Sequence, residues 1–461
     1  MIRSGPVRPK AWGFLPGEPW RRNQIAVNIA AALVFLGFNL VMPFLPFYVA
    51  TLGVQGTARV ALWSGLLLSV SPLLAATLGP LWGRLADRVG MRIMVQRVLF
   101  TIALHWGLTY FATNVWHLLG LRIFLGLFSG FGTMSVALVT YGCPRDRIGR
   151  VVGSLQATQI LSSALGPLLG GILAHAIGIR STFLLTCALC TAALLFVIAL
   201  YRDAPQGSER PSVEDQAPLA TLVVAQEGPV SAGVRAVVAT PAPARLRTDC
   251  PLSFRKILAL PMFLTLLPVL FLANTVDRFF SLIVPLRIAS LAPPGAAIEA
   301  LTGVVITAGA LAGAASAYIL GRLASRIPSL QLLSWSLLGG LVTIVPMAFC
   351  RSLLPFGTLR VGLGLSVGGA LTLAYTIAGG NIPSGVRASA YGILSSTAMF
   401  GGSLGPILCS LLASVDLRAP FLFGGLLYVV LLLILLRVAV RARRSAWAAA
   451  VPAARPTGDA P

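Results

Sequence analysis

Long apolar runs, separated by short polar or glycine-rich segments, recur along most of the chain. A helix needs about 20 mostly apolar residues to cross the hydrocarbon core of a bilayer, and each run has roughly that length or more. The pattern therefore predicts twelve membrane-spanning helices, numbered here as spans 1–12: 24–50, 61–82, 94–114, 117–141, 151–176, 180–201, 258–289, 299–320, 330–349, 353–379, 388–414 and 418–440.

The stretch from 202 to 256 interrupts this pattern. It contains PQGSERPSVEDQAPLA and ATPAPAR, which are rich in proline and alanine and have no helical period. Such a composition is typical of a flexible linker. We therefore expect an N-terminal bundle (24–201), the linker (202–256), a C-terminal bundle (257–440) and two short tails (1–23 and 441–461).

Three segments of the first bundle return in the second at a nearly constant offset. GRLADR and LRIFLGLFSG recur 238 residues later as GRLASR and LRVGLGLSVG, and GPLLGGIL recurs 239 residues later as GPILCSLL. Matches at one offset indicate parallel repeats related by an axis along the membrane normal. The predicted fold is an all-α membrane protein with twelve transmembrane helices in two pseudo-symmetric six-helix bundles.

The composition supports a membrane protein. Hydrophobic residues make up 57% of the 461 positions and charged residues only 10%, and the mean hydropathy is +0.87. If the N terminus is cytoplasmic, 27 of the 35 Lys and Arg residues fall on the cytoplasmic side and five on the other, with Arg122, Arg278 and Arg360 inside spans. This asymmetry follows the positive-inside rule. We therefore expect both termini in the cytoplasm and no nucleic-acid partner, despite the net charge of +22.

The sequence offers no catalytic or cofactor site. Its six cysteines form no disulfide framework, and the CxxC of Cys187 and Cys190 lies inside an apolar span, where small packing residues are expected. No Walker A sequence, HExxH or nucleophile elbow is present. We therefore expect neither an enzyme nor ATP-driven transport, and neither a metal nor another cofactor.

One charged segment stands out in this apolar chain: GRLADRVGMR, between spans 2 and 3. Arginines in a short cytoplasmic loop fix the topology, but the lone acid needs a further reason. With the twelve spans and two related halves, the segment resembles the signature loop of the major facilitator superfamily, matched at Gly83, Asp87, Arg88, Gly90 and Arg92. The resemblance implies an inner gate, in which Asp87 latches the two halves against the start of span 11 near Arg387. In the second repeat Ser325 replaces the acid and Pro328 stands near the place of the glycine, so we expect an asymmetric gate.

Two further motifs narrow the resemblance. RIFLGLFSG is similar to the family's fourth-helix motif, and LVMPFLPFYVATLGV, LWSG and LADR are most similar to one group of multidrug resistance proteins. Span 5 resembles the motif of the twelve-helix drug:proton antiporters at Gly153, Gly166, Pro167, Gly170 and Gly171. The resemblance implies a bend that seals the cavity against ion leak. Close helix packing alone would also produce these residues, because glycines allow close approach and proline bends the span.

Ionisable side chains inside spans are the strongest functional candidates, because a charge at the bilayer centre costs at least about 2.5 kcal/mol. Asp277 is the only one of the 13 acids that we place deep in a span. A carboxyl group in a low-dielectric site can titrate near neutral pH, as a proton carrier must. A structural ion pair with another helix would explain it equally well. Arg122 in span 4 either relays protons, pairs with substrate or snorkels to the outer surface, and Arg360 is its equivalent in span 10.

Span 1 departs from the family pattern. Many relatives carry an acid four residues before a proline, where this chain has Asn39 before Pro43. Asparagine can bind a substrate but cannot carry a proton, so either Asp277 has taken over coupling or transport is not proton-coupled. His105 in span 3 could titrate, but we expect it to be a packing residue. From span number and helical period we expect a substrate cavity lined by Asn39, Gly126, Gln156, Asn274, Arg360 and Tyr375.

The resemblance and these residues together predict a secondary active exporter that exchanges protons for a small amphipathic or drug-like molecule. We expect a monomer in the bacterial inner membrane, whose halves rock about a cavity lined by spans 1, 4, 7 and 10. Two alternatives stay open. One is a metabolite importer or facilitator without proton coupling, which Asn39 favours; the other is a membrane sensor that no longer transports.

Overall fold

The computed structural model of the protein describes residues 19–140, 143, 147–201, 261–324, 326–381 and 387–450, and the elements in these ranges are helices. The predicted linker at 202–256 lies outside the described residues, as do residues 1–18 and 451–461 of the predicted tails. The two halves are therefore described by their spans.

The six spans of the first half form helices close to their predicted positions. Span 1 begins five residues before its predicted start and passes through a short 3-10 turn. The helices are Pro19–Val41, Met42–Phe44 (3-10) and Leu45–Thr51 for span 1, Thr57–Val89 for span 2, Met91–Tyr110 for span 3, Val115–Phe128 and Phe131–Thr140 for span 4, Ile148–Ile177 for span 5 and Ile179–Leu200 for span 6.

The second half repeats this order. Its last helix continues past the predicted end of span 12, into the segment predicted as a tail. The helices are Pro261–Leu291 for span 7, Ile298–Leu323 for span 8, Ser329–Met347 for span 9, Leu353–Val367 and Ala370–Asn381 for span 10, Arg387–Val415 for span 11 and Ala419–Ala450 for span 12.

Within the described residues, ten of these helices are long and apolar enough to cross a membrane. The other two are span 3, which carries Arg92 and Arg97, and span 4, which is divided at Gly130. Gly130 has a φ of 134°, a backbone conformation that favours glycine. Span 10 is divided at the matching place, where Gly368 and Gly369 lie directly against span 8. The sequence pattern thus found all twelve spans but not their breaks.

Hydrogen bonds between span ends show that spans 1 and 3 run in one direction and span 6 runs in the opposite one. Arg22 at the start of span 1 donates to the Ala199 carbonyl at the end of span 6 over 3.3 Å. At the other end, Tyr48 and Arg180 donate to the Ala112 carbonyl after span 3, over 3.1 and 3.2 Å. We call the first end, with the starts of spans 1, 3 and 5, the linker face. The opposite end, with the starts of spans 2, 4 and 6, is called the far face.

The helix contacts follow the internal repeat. Gly126 of span 4 packs on Ser71 of span 2, where an added Cβ would lie 2.9 Å from the serine backbone. In the second half, Gly364 of span 10 packs on Gly309 of span 8. Both pairs are related by the offset of 238 residues found in the sequence. The repeat therefore preserves contacts between helices as well as their order.

The two halves meet along spans 2 and 11 and along spans 5 and 8. On the first pair, Gly65 lies so close to Ser410 and to the Pro406 carbonyl that an added Cβ would clash with both. On the second pair, Gly303 lies against the Pro167 carbonyl and Gly171 against Glu299. All three glycine contacts lie in the part of the interface near the far face, and they close that side of the molecule.

Candidate transport site

The second half carries a charged cluster near the middle of the bundle. Asp277 of span 7 is partly buried and interacts electrostatically with its neighbour Arg278 and with Arg360 of span 10. Arg360 is 5% exposed, and its guanidinium carbon lies 5.3 Å from the ring centre of Phe280. The carboxylate therefore lies in the field of two cations, one of which comes from another helix.

Two glycines make room for this cluster. Gly309 of span 8 has no side chain where the Arg360 guanidinium passes, and a Cβ there would lie 2.9 Å from Nη1. Gly340 of span 9 likewise leaves space for the ring of Tyr428 of span 12. Tyr428 is buried and interacts electrostatically with both Asp277 and Arg360. Nothing in the sequence indicates the role of this tyrosine, because a phenol in a strongly apolar span carries no signal of its partners.

Arg122 occupies the equivalent place in the first half. It is 3% exposed, so it does not snorkel to the outer surface. Its Nη2 donates to the Met42 sulfur over 3.6 Å, and its guanidinium carbon lies 5.6 Å from the ring centre of Trp106. The Ser71 hydroxyl donates to the Arg122 carbonyl over 2.6 Å. Arg122 is thus held between spans 1, 2 and 3.

His105 of span 3 belongs to the same neighbourhood. Its ring is buried, lies 4.9 Å from that of Trp106 and donates through Nδ1 to the Leu121 carbonyl over 3.0 Å. It also interacts electrostatically with Arg122. The position agrees with a packing role, since the imidazole orients the backbone at the residue before Arg122.

Of the residues expected to line the cavity, Asn39 contacts span 5. Its amide donates to the Ser163 hydroxyl over 3.2 Å, and Gly166 leaves the space that the Asn39 side chain fills. Asn274 is buried and donates within its own helix to the Leu270 carbonyl over 2.9 Å. The side chain of Tyr375 lies outside the described residues. Gln156 of span 5 is buried.

The five residues of the span 5 motif differ in their packing contacts. Gly166 and Gly170 pack against Asn39 and Leu40 of span 1, and Gly171 packs against Glu299 of span 8. The Pro167 carbonyl contacts Gly303 of span 8. Around Gly153, by contrast, an added Cβ would find nothing within 4 Å. Four of the five positions therefore serve close contacts, two within the first half and two between the halves.

We expect Gly170→Ala to lower the stability of the purified protein and Gly153→Ala to leave it unchanged. The alanine methyl at 170 would clash with the Leu40 carbonyl, and overpacking of this kind costs about 1–3 kcal/mol. The midpoint of thermal unfolding in one detergent measures the difference. Equal midpoints for both variants would contradict the packing role of Gly170.

The charged loop is described only in part. The side chains of Gly83, Asp87 and Arg88 lie outside the described residues, and so does that of Arg387. Gly90 has a φ of 99° and precedes span 3 directly. Arg92 donates to the Ile198 carbonyl of span 6 over 3.3 Å, a contact within the first half. Pro328 precedes span 9 with a φ of −53°, so the two loops enter their helices differently.

No group of three His, Cys, Asp or Glu side chains that could hold a metal ion occurs among the residues described.

Comparisons with known proteins agree with this arrangement. A family model described as Major Facilitator Superfamily matches residues 27–354 and 266–457. The multidrug resistance protein MdtG of Enterobacter lignolyticus is 30% identical over 404 residues, 87% of this chain and 88% of that protein. The multi-drug resistance efflux pump PmrA homolog of Lactococcus lactis is 31% identical over 349 residues, 76% of this chain and 78% of that protein.

A solved structure shows the same fold. The human organic anion transporter MFSD10 (TETRAN) aligns with a TM-score of 0.58 and 19% identity, over 91% of this chain and 100% of that one. The predicted fold class is confirmed, and MdtG is the multidrug resistance group that the sequence segments most resembled. The chain is thus a multi-pass membrane protein that belongs to the major facilitator superfamily, a family of transporters.

Proposed function

We propose that the protein exports small amphipathic molecules in exchange for protons. The observation that carries the proposal is Asp277, a partly buried carboxylate in the middle of span 7 that faces Arg278 and Arg360. Relatives named as multidrug resistance and efflux proteins support export of drug-like molecules. The linker face is then cytoplasmic, with both termini on that side, and the membrane is the bacterial inner membrane, as the placement of the basic residues favours.

In this proposal, proton and substrate exclude each other at Asp277. The ionised carboxylate attracts the arginines, or a cationic or hydrogen-bond-donating group of the substrate. Once protonated, it has lost its charge and holds neither firmly. A proton arriving from the far face therefore favours release of substrate there, and a proton leaving at the linker face restores the site for the next substrate. Arg278 and Arg360 set the field around the carboxylate, and Arg122 stays buried in the first half.

Alternating access completes the cycle. Close contacts at Gly65, Gly171 and Gly303 join the halves near the far face, and in this proposal the substrate enters this state from the linker face. The halves would then rock about the central site, closing the linker face through the loop that contains Asp87 and Gly90. An importer or facilitator without proton coupling stays the second candidate, because Asn39 stands in span 1 where relatives carry an acid.

Substrate-driven proton movement tests the proposal. In proteoliposomes with a pH-sensitive dye inside, addition of ethidium or another amphipathic drug to one side should change the internal pH, and an uncoupler should abolish the change. Empty liposomes with the same lipids are the control. Drug uptake that continues without proton movement, and that an uncoupler does not affect, would instead support the facilitator.

A further inference from the structure

Two glutamines in span 5 leave hydrogen-bonding groups unused inside the bundle. Gln156 is 5% exposed and Gln159 is 2% exposed. Neither amide atom of Gln156 has a hydrogen-bond partner among the described residues, and neither has Oε1 of Gln159. The other amide atom, Nε2 of Gln159, donates to the Ser135 hydroxyl of span 4 over 3.3 Å. A buried polar group without a partner costs about 1–3 kcal/mol, so a packing role alone does not explain these residues.

The helical period indicates where Gln156 points. It stands 11 residues before Pro167, which is about three turns of helix, so both residues lie on one face of span 5. At Pro167 that face touches Gly303 of the second half. Ser163, two turns beyond Gln156, accepts a hydrogen bond from Asn39 of span 1. Gln156 therefore lies toward span 1 and the second half, at a level nearer the linker face than these contacts. Gln159, three residues further on, is its neighbour on the helix surface.

The pair has no counterpart in the second half. At the offset of 239 residues found for this span, the equivalent positions are Ser395 and Ala398 of span 11. Ala398 is buried and carries no hydrogen-bonding side chain. The internal repeat preserves Gly153, Gly166 and Pro167 of this span, as Gly392, Gly405 and Pro406, but not the amides. The amides therefore do not belong to the shared packing of the fold.

We propose that Gln156 and Gln159 form a subsite that binds an uncharged N–H or O–H donor of the transported molecule. Two free carbonyl oxygens and one free amide nitrogen suit an amino, amide or hydroxyl group on an apolar body. Such a group reaches the subsite from the linker face. The proposal rests on the proposed export of amphipathic molecules and adds the chemical group that is recognised. It also gives the substrate a fixed orientation, with its hydrogen-bonding group toward the first half.

A matched pair of dyes tests this subsite. Proflavine and acridine orange share a cationic acridine ring, but proflavine carries two NH2 groups where acridine orange carries two dimethylamino groups. Binding to the purified protein is measured by fluorescence, and uptake into inverted vesicles gives the KM. The variants are Gln156→Leu and Gln159→Leu. Thr158→Val is the matched control, because the Thr158 hydroxyl donates only to the Ser154 carbonyl of its own helix, over 2.9 Å.

We expect Gln156→Leu to weaken proflavine binding and raise its KM about tenfold, as removal of a hydrogen bond to a buried group does. Acridine orange should change less than twofold, and Thr158→Val should change neither dye. Equal effects on both dyes, or none on either, would overturn the subsite, while continued transport of acridine orange would leave the proposed export standing. If the wild type neither binds nor transports either dye, the proposed function fails and the subsite fails with it.

Discussion

Asp277→Asn should abolish substrate-driven proton movement, with a loss of about 100-fold or more, the scale on which removal of a positioned proton-transfer group acts. Asparagine has nearly the shape of aspartate but cannot take up a proton. It also leaves Arg278 and Arg360 facing a neutral group, so a cationic substrate would lose its attraction at the same time. Asp277→Glu keeps the carboxylate, and we expect it to retain part of the proton movement.

The measurement is internal pH in proteoliposomes after addition of a drug, wild type beside the variants. Glu299→Gln is the matched control, because Glu299 lies in the first turn of span 8 at the far face rather than in the middle of a span. The midpoint of thermal unfolding of the purified protein shows that each variant is folded, which matters because an unpaired buried charge destabilises a protein. If Asp277→Asn keeps full proton exchange, Asp277 is a structural residue, and His105 becomes the next candidate.

The order of the spans was predictable from the sequence, because a helix that crosses the bilayer needs a minimum apolar length. The breaks within spans were not predictable in this way. Span 1 turns at Met42–Phe44 and span 4 at Gly130, yet the apolar runs continue through both places. The start at Pro19 and the extension to Ala450 were missed because a helix does not have to end where the membrane ends. Hydropathy indicates which segments are apolar enough to lie in the bilayer. It contains little information on where a helix bends.

The direction in which each side chain faces was harder to predict from the sequence than the breaks within spans. In a membrane protein both the lipid side and the interior are apolar, so Leu155 and Leu161 look alike in the sequence. Leu155 is fully buried, while Leu161 is 57% exposed toward the outer surface. Polar residues break this symmetry, which explains why Asp277, Arg122 and Gln156 stood out. Their partners depend on how helices rotate against each other, so the contacts of Tyr428 could not be predicted from sequence.

The internal repeat identified equivalent residues in the two halves, which hydropathy alone does not do. Arg122 and Arg360 were paired by sequence offset alone, and both are buried with an aromatic ring nearby. The span 5 motif shows the limit of such matching. Gly153 and Gly170 both match the motif. Only at Gly170 does a neighbouring residue leave no room for a side chain. The motif names positions, and the packing around each decides which ones a substitution will harm.

Gly303→Ala should slow transport at least tenfold by preventing closure of the far face. Gly303 lies against the Pro167 carbonyl, and a methyl group there would clash with backbone that cannot move aside. Overpacking costs about 1–3 kcal/mol, and a cost of about 1.4 kcal/mol in the state closed at the far face shifts the equilibrium tenfold toward the open state. Gly321→Ala in the same span is the matched control, because nothing lies within 4 Å of a Cβ at that position.

Labelling measures the shift directly. Ser410 is 2% exposed and faces Gly65 across the interface between the halves near the far face. A cysteine placed there by Ser410→Cys, with the six native cysteines replaced by alanine, is shielded while the far face is closed. We expect a membrane-impermeant maleimide to label it about tenfold faster when Gly303→Ala is added, and no faster with Gly321→Ala. Slow labelling together with slow transport would mean that Gly303 acts on the stability of one half, and the contact between spans 5 and 8 would not be a gate.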